Sequence, residues 1–92
     1  MAKAELYQLT AREAVVLLKK KEISPLDLID AAEARISAID RKINALPTLC
    51  LDRARRHAKE LMSGKRCEAR GEPGWLAGLP VAIKDLMDVA GV

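Results

Sequence analysis

Gly78-Leu79-Pro80-Val81-Ala82-Ile83-Lys84-Asp85-Leu86-Met87-Asp88-Val89-Ala90-Gly91-Val92 is the stretch on which the reading of the fold turns. Leu79 to Ile83 is apolar without alternation, so both of its faces are expected to be covered, as in a parallel strand of an α/β protein. Lys84 follows at once. A lysine leaving the end of a buried strand loses hydration of its ammonium, which favours the neutral amine and makes the side chain a candidate base.

Upstream of this stretch, Gly64 to Gly74 is rich in glycine, proline and charge and has no period, so it reads as a surface connection. Before it, Asp52 is expected to cap a helix over about 52–63, with Ala54, Ala58 and Leu61 on one side and Ser63-Gly64 closing it. Leu46-Pro47-Thr48-Leu49-Cys50-Leu51 is a compact apolar run whose proline suits a strand start or edge, so a short strand is expected over about 46–51. A second strand is expected at about 79–83.

The first half of the chain reads as helix. Ser24-Pro25 sets a capping serine before a proline at the first helical position, with Asp27 in the first turn. Ile29, Ala32, Ile36, Ile39 and Ile43 then recur at steps of three and four, the spacing of one helical face, which predicts a helix over about 25–44. Thr10-Ala11-Arg12-Glu13 has the spacing of a capping box and Lys19-Lys20-Lys21 suits a helix carboxyl end, which predicts a helix over about 10–21. The short connection between these two favours an antiparallel hairpin.

The closing stretch also resembles the lysine-bearing motif of the amidase signature family, Gly-x-Pro-x-x-x-Lys-Asp with a glycine a few residues later, and Leu76-Ala77-Gly78 fits that motif's lead-in. The chain from Leu6 to about Met62 is similar to the family's amino-terminal helices. The resemblance implies a mixed-sheet α/β fold in which residues 1–92 form the amino-terminal part of a single larger amidase domain. It implies a serine hydrolase of carboxylic amides that uses a nucleophilic serine, a bridging serine in a cis peptide, and Lys84 as terminal base. Gly78, Pro80, Asp85 and Gly91 are the motif's structural members. Ser24, Ser37 and Ser63 match no part of the family's serine motif, so the 92-residue chain alone is expected to be inactive.

Asp85 is as readily a cap for the turn after the strand as an orienting carboxylate, and is assigned no proton transfer. His57 lies among Arg53, Arg55, Arg56 and Lys59 and reads as a polar residue of a solvated helix face. That cluster lacks the aromatic platforms that single-stranded nucleic acids commonly need, and the net charge of +3 is mild, so a nucleic-acid partner is not expected. One branch of the family amidates aminoacyl-tRNA, but it commonly has Asn after Lys-Asp where this chain has Leu86. That departure favours a general amidase with a small-molecule amide substrate over one subunit of a tRNA-dependent amidotransferase. Another reading makes the helices a non-catalytic interaction module that offers an isoleucine stripe to a partner helix.

Composition bounds the remaining choices. Half the residues are hydrophobic and 32% are charged, a globular balance, and with Tyr7 and Trp75 as the only aromatics the core must be built from aliphatic side chains. No run is long enough to span a bilayer and the start lacks the apolar core of a signal peptide, so a cytoplasmic protein is expected. Cys50 and Cys67 are too few for a disulfide framework or a zinc site, and no cofactor or metal is called for. The remainder of the amidase fold is the expected packing partner, and association between copies is left open.

Overall fold

Two reciprocal capping pairs fix where the first helices begin. In the computed structural model, which describes residues 3–64, 74–84 and 86–92, the Thr10 amide donates to Glu13 Oε1 (2.9 Å) and the Glu13 amide donates back to Thr10 Oγ1 (3.1 Å). Ser24 and Asp27 repeat the arrangement at 3.0 and 3.1 Å. Each pair satisfies two amides that a helix start leaves without partners. Helix α1 accordingly runs Ala11–Lys19 and α2 runs Pro25–Ile43, with Pro25 in the first turn where no amide is missed. A 3-10 helix, Lys3–Gln8, precedes them, and α3 runs Leu51–Met62.

The helix ends follow from backbone chemistry. After α1, the Glu22 amide donates to the Leu17 carbonyl (3.0 Å) and the Lys21 amide to the Leu18 carbonyl (3.1 Å), with Lys21 in the left-handed region at φ 62°. This is a Schellman closure with lysine where glycine is the usual occupant. Asn44 takes the same conformation after α2, and the Asp40 carboxylate there accepts from the amides of Ala45 (3.0 Å) and Leu46 (3.4 Å).

Leu6, Ala14, Leu18, Leu28, Ala31 and Ala77 form the buried core, with Leu9, Val15, Ile23, Trp75 and Leu79 packed partly against it. The backbone of α2 comes closest to the 3-10 helix and to α3, while α1 contributes Ala14 and Leu18 to the core, so α2 is the central element rather than half of a close hairpin. Its face is tied to α3 by Arg55, whose guanidinium pairs with Asp30 (3.3 Å) and with Glu33. The guanidinium of Arg35 lies 4.7 Å from the centre of the Tyr7 ring and links α2 to the 3-10 helix.

The expected α/β class is corrected by this architecture: among the described residues there are helices and no strand or sheet. The run expected as a strand over 46–51 is irregular and almost wholly exposed, and its last residue, Leu51, opens α3. Cys50 occupies the cap position without a side-chain hydrogen bond, and Asp52, expected as the cap, lies inside the first turn, where its charge complements the helix dipole. The run over 79–83 is likewise irregular. Val81, Ala82 and Ile83 are exposed, so neither face is covered, and Pro80 removes one ladder donor. A strand exists by virtue of the neighbour whose carbonyls and amides it meets, and apolar composition by itself supplies no such neighbour.

Candidate functional site

The lysine-bearing segment is held by the helical layer at both of its ends. At the near end, Ala77 is buried and left-handed (φ 57°), Gly78 follows at φ 94°, and the Leu79 amide donates to the Leu76 carbonyl (3.0 Å) to close a turn. Gly78 lies against the start of α2 and the end of α3: a Cβ there would meet Pro25 Cγ at 2.6 Å and Leu61 Cδ2 at 2.9 Å. Only glycine supplies both the conformation and the absent side chain. Leu79 and Pro80, half-buried, then line a shallow apolar groove of about 350 Å³ together with Leu6, Tyr7, Leu28 and Arg35.

At the far end, the Arg53 guanidinium of α3 donates to the Ala90 carbonyl, and Gly91 turns at φ 80° directly beside it, where a Cβ would stand 3.6 Å from Arg53 Nη1. The Val92 amide closes a turn onto the Val89 carbonyl (3.1 Å). Between the two anchors lies Lys84. Its side chain is exposed, and its carbonyl accepts from the Met87 amide at 3.0 Å. The buried strand end at which Lys84 was expected is therefore not found among the described residues. Asp85 lies outside the described residues, as do Cys67, Lys65 and Arg66.

Of the remaining candidates, Ser24 and Ser63 have their hydroxyls engaged locally, Ser24 accepting from the Asp27 amide and Ser63 donating to the Glu60 carbonyl (2.8 Å). Ser37 and His57 are exposed on α2 and α3. Among the described residues no three His, Cys, Asp or Glu side chains gather to hold a metal ion, and no helix is long and apolar enough to cross a membrane. The titratable groups that respond to the fold are structural. The Glu13 carboxylate is held below its ordinary range by the hydrogen bond from the Thr10 backbone and then by the Thr10 side chain. Arg55 is pushed up by its hydrogen bonds to Glu33 and Asp30. Arg53 is the residue that sequence reasoning missed. It sits 37 positions from its acceptor, and nothing in its helical context distinguishes it from Arg55 or Arg56.

A helical frame carrying a Gly-x-Pro-x-x-x-Lys segment across its surface is the arrangement to be placed among known proteins. The profile of the Amidase family matches residues 27–92, and the chain belongs to that family. Over 89 residues it is 44% identical to the A subunit of the Glutamyl-tRNA(Gln) amidotransferase of Carboxydothermus hydrogenoformans, covering 96% of this chain and 18% of that protein. The protein of the same name from Geotalea daltonii is 41% identical over 88 residues, with the same coverage, and that from Anaeromyxobacter dehalogenans is 44% identical over 89. The chain thus spans under a fifth of the length of these curated relatives. No solved structure matches it significantly.

Two expectations are corrected here. The relatives carry a tRNA in their names, which overturns the view that a nucleic-acid partner is not to be expected. The preference for a free-standing amidase, drawn from Leu86, gives way to the same finding: similarity along nearly the whole chain outweighs one position.

Proposed function

We propose that this chain forms the lysine-bearing part of a tRNA-dependent amidotransferase, in which hydrolysis of a carboxamide donor releases ammonia, and ammonia displaces phosphate from the glutamyl carboxyl of Glu-tRNA(Gln) after a phosphoryl donor has activated it elsewhere in the enzyme. The observation that supports this reading is similarity at 44% identity over 96% of the chain, with the Gly78 to Gly91 motif inside the stretch matched by the Amidase family.

In this proposal Lys84 is the terminal base of a serine, cis-serine and lysine triad whose serines lie outside these residues. As the neutral amine, Lys84 accepts a proton through the bridging serine from the nucleophile, which attacks the amide carbonyl. The tetrahedral intermediate collapses as the leaving nitrogen takes a proton, ammonia departs, and water releases the acyl group as carboxylate. Enclosure of Lys84 by further parts of the parent protein supplies the desolvation that its exposed position in this chain lacks. Gly78, Pro80 and Gly91 shape the segment, and neither they nor Asp85, the remaining member of the motif, carry a proton.

The test is made in the complete amidase. Lys84→Ala is expected to abolish ammonia release from the free carboxamides glutamine and asparagine, and with it amidation of Glu-tRNA(Gln), while thermal unfolding stays unchanged. Retained hydrolysis in that variant refutes the base assignment. Hydrolysis that is lost on mutation but never coupled to tRNA amidation in the unmutated protein points instead to a general amidase.

A further inference from the structure

Lys84 lies between two anchors, and at the far one a side chain of α3 reaches the loop backbone. The near anchor is rigid by shape, since Gly78 is wedged against the Pro25 ring and Leu61. Beyond Lys84, Leu86, Met87, Asp88, Ala90, Gly91 and Val92 are exposed and Val89 is half-buried, the Met87 and Val92 amides close local turns, and among the described residues the hydrogen bond from Arg53 to the Ala90 carbonyl joins this stretch to α3. Arg53 is half-buried in the second position after Leu51, at the start of α3, with its guanidinium directed out to the loop rather than to a carboxylate of its own helix. Gly91 turns beside it at φ 80°, next to the accepting carbonyl.

We propose that Arg53 is a positioning residue for Lys84, setting the path of the loop that follows the lysine by fixing its far end to α3. The proposal rests on the assignment of Lys84 as the base. A guanidinium suits the task because its planar set of donors stays oriented once one hydrogen bond forms, and it keeps its charge across the whole range in which an amidase would operate. A misplacement of about 1 Å at a base can cost on the order of 100-fold in rate, so loosening a loop that begins at Lys84 is expected to be felt in turnover.

Two measurements test it. In the isolated chain, hydrogen exchange should show that Arg53→Ala removes protection from the Met87 and Val92 amides while the α3 amides keep theirs. Unchanged protection at Met87 and Val92 overturns the anchor. In the complete amidase, Arg53→Ala is expected to lower kcat roughly 10- to 100-fold with KM within about 2-fold. Arg53→Lys, which retains one donor, should recover part of that loss, and Arg56→Ala, on the exposed side of the same helix, should leave turnover unchanged. If Lys84→Ala abolishes hydrolysis while Arg53→Ala retains full kcat, the positioning role fails and the base assignment stands. If Lys84→Ala remains active, the base assignment itself fails, and the exchange measurement still decides whether Arg53 holds the loop.

Discussion

Replacing Gly78 by alanine separates the claim that the lysine segment is seated on the helices from the weaker claim that it merely follows them. The residue has φ 94°, a conformation that costs an L-residue about 1–2 kcal/mol. The added Cβ would also stand 2.6 Å from Pro25 Cγ and 2.9 Å from Leu61 Cδ2. Leu61 can rotate away, but the Pro25 ring is closed onto its own backbone at the first position of α2, so relief must come from shifting a helix start or the segment itself. Overpacking of this kind costs about 1–3 kcal/mol. Restricting the unfolded chain returns about 0.4–1 kcal/mol, which leaves a net destabilisation of about 1–5 kcal/mol, centred near 3. In a domain of this size the central value lowers Tm by roughly 10 °C or more. Gly91 and Gly64 serve as controls. Both are left-handed, yet a Cβ at Gly91 meets nothing nearer than 3.6 Å and one at Gly64 meets nothing within 4 Å, so each substitution should cost only about 1 kcal/mol. Urea and thermal melts followed by circular dichroism give the three values. A Gly78→Ala loss no larger than the other two would show that the segment is not packed between Pro25 and Leu61. A cycle with Pro25→Ala sharpens the result, since removing the ring should lessen the Gly78→Ala penalty by about 1 kcal/mol, an interaction expected only between residues in contact.

Ser24→Ala removes the hydroxyl that accepts from the Asp27 amide at the start of the central helix, and is expected to cost about 1 kcal/mol in urea denaturation. Lys21→Gly should instead stabilise by roughly 0.5–1 kcal/mol, because the left-handed closure of α1 suits glycine. No gain would mean that the Lys21 side chain contributes more than its backbone costs. The Glu13 carboxyl is held below its ordinary range by Thr10, so its contribution to stability is complete above the unfolded pKa and disappears as pH falls through the lower folded value. Melting temperature plotted against pH should therefore decline on the acid side more steeply for the parent chain than for Glu13→Gln. Parallel curves would remove the capping carboxylate from the pH response.

The helices were legible because their signals are local. Thr10 with Glu13 and Ser24 with Asp27 each lie three residues apart, and the cap they form needs nothing from the rest of the chain. The isoleucine stripe of α2 was legible for the same reason at its buried end, Ile29, but Ile43 at the other end is 62% exposed, since periodicity gives a face and not the extent to which it is covered. The strands were misread because apolar runs such as 46–51 and 79–83 state a preference for burial and leave open which element provides it. Leu46 to Cys50 is an irregular link with Pro47 in it, and Val81 to Ile83 is exposed, with no partner strand among the described residues.

The sequence by itself determined where α1 and α2 start, how the lysine motif is spelled and to which family it belongs, because each depends on residues adjacent or nearly adjacent along the chain. Only the tertiary structure decided that Gly78 abuts Pro25 and that Arg53, rather than Arg55 or Arg56, reaches the loop after Lys84. Contacts between residues so far apart in the chain depend on how helices pack, and packing is set by the summed shape of many side chains, which no single stretch of sequence encodes.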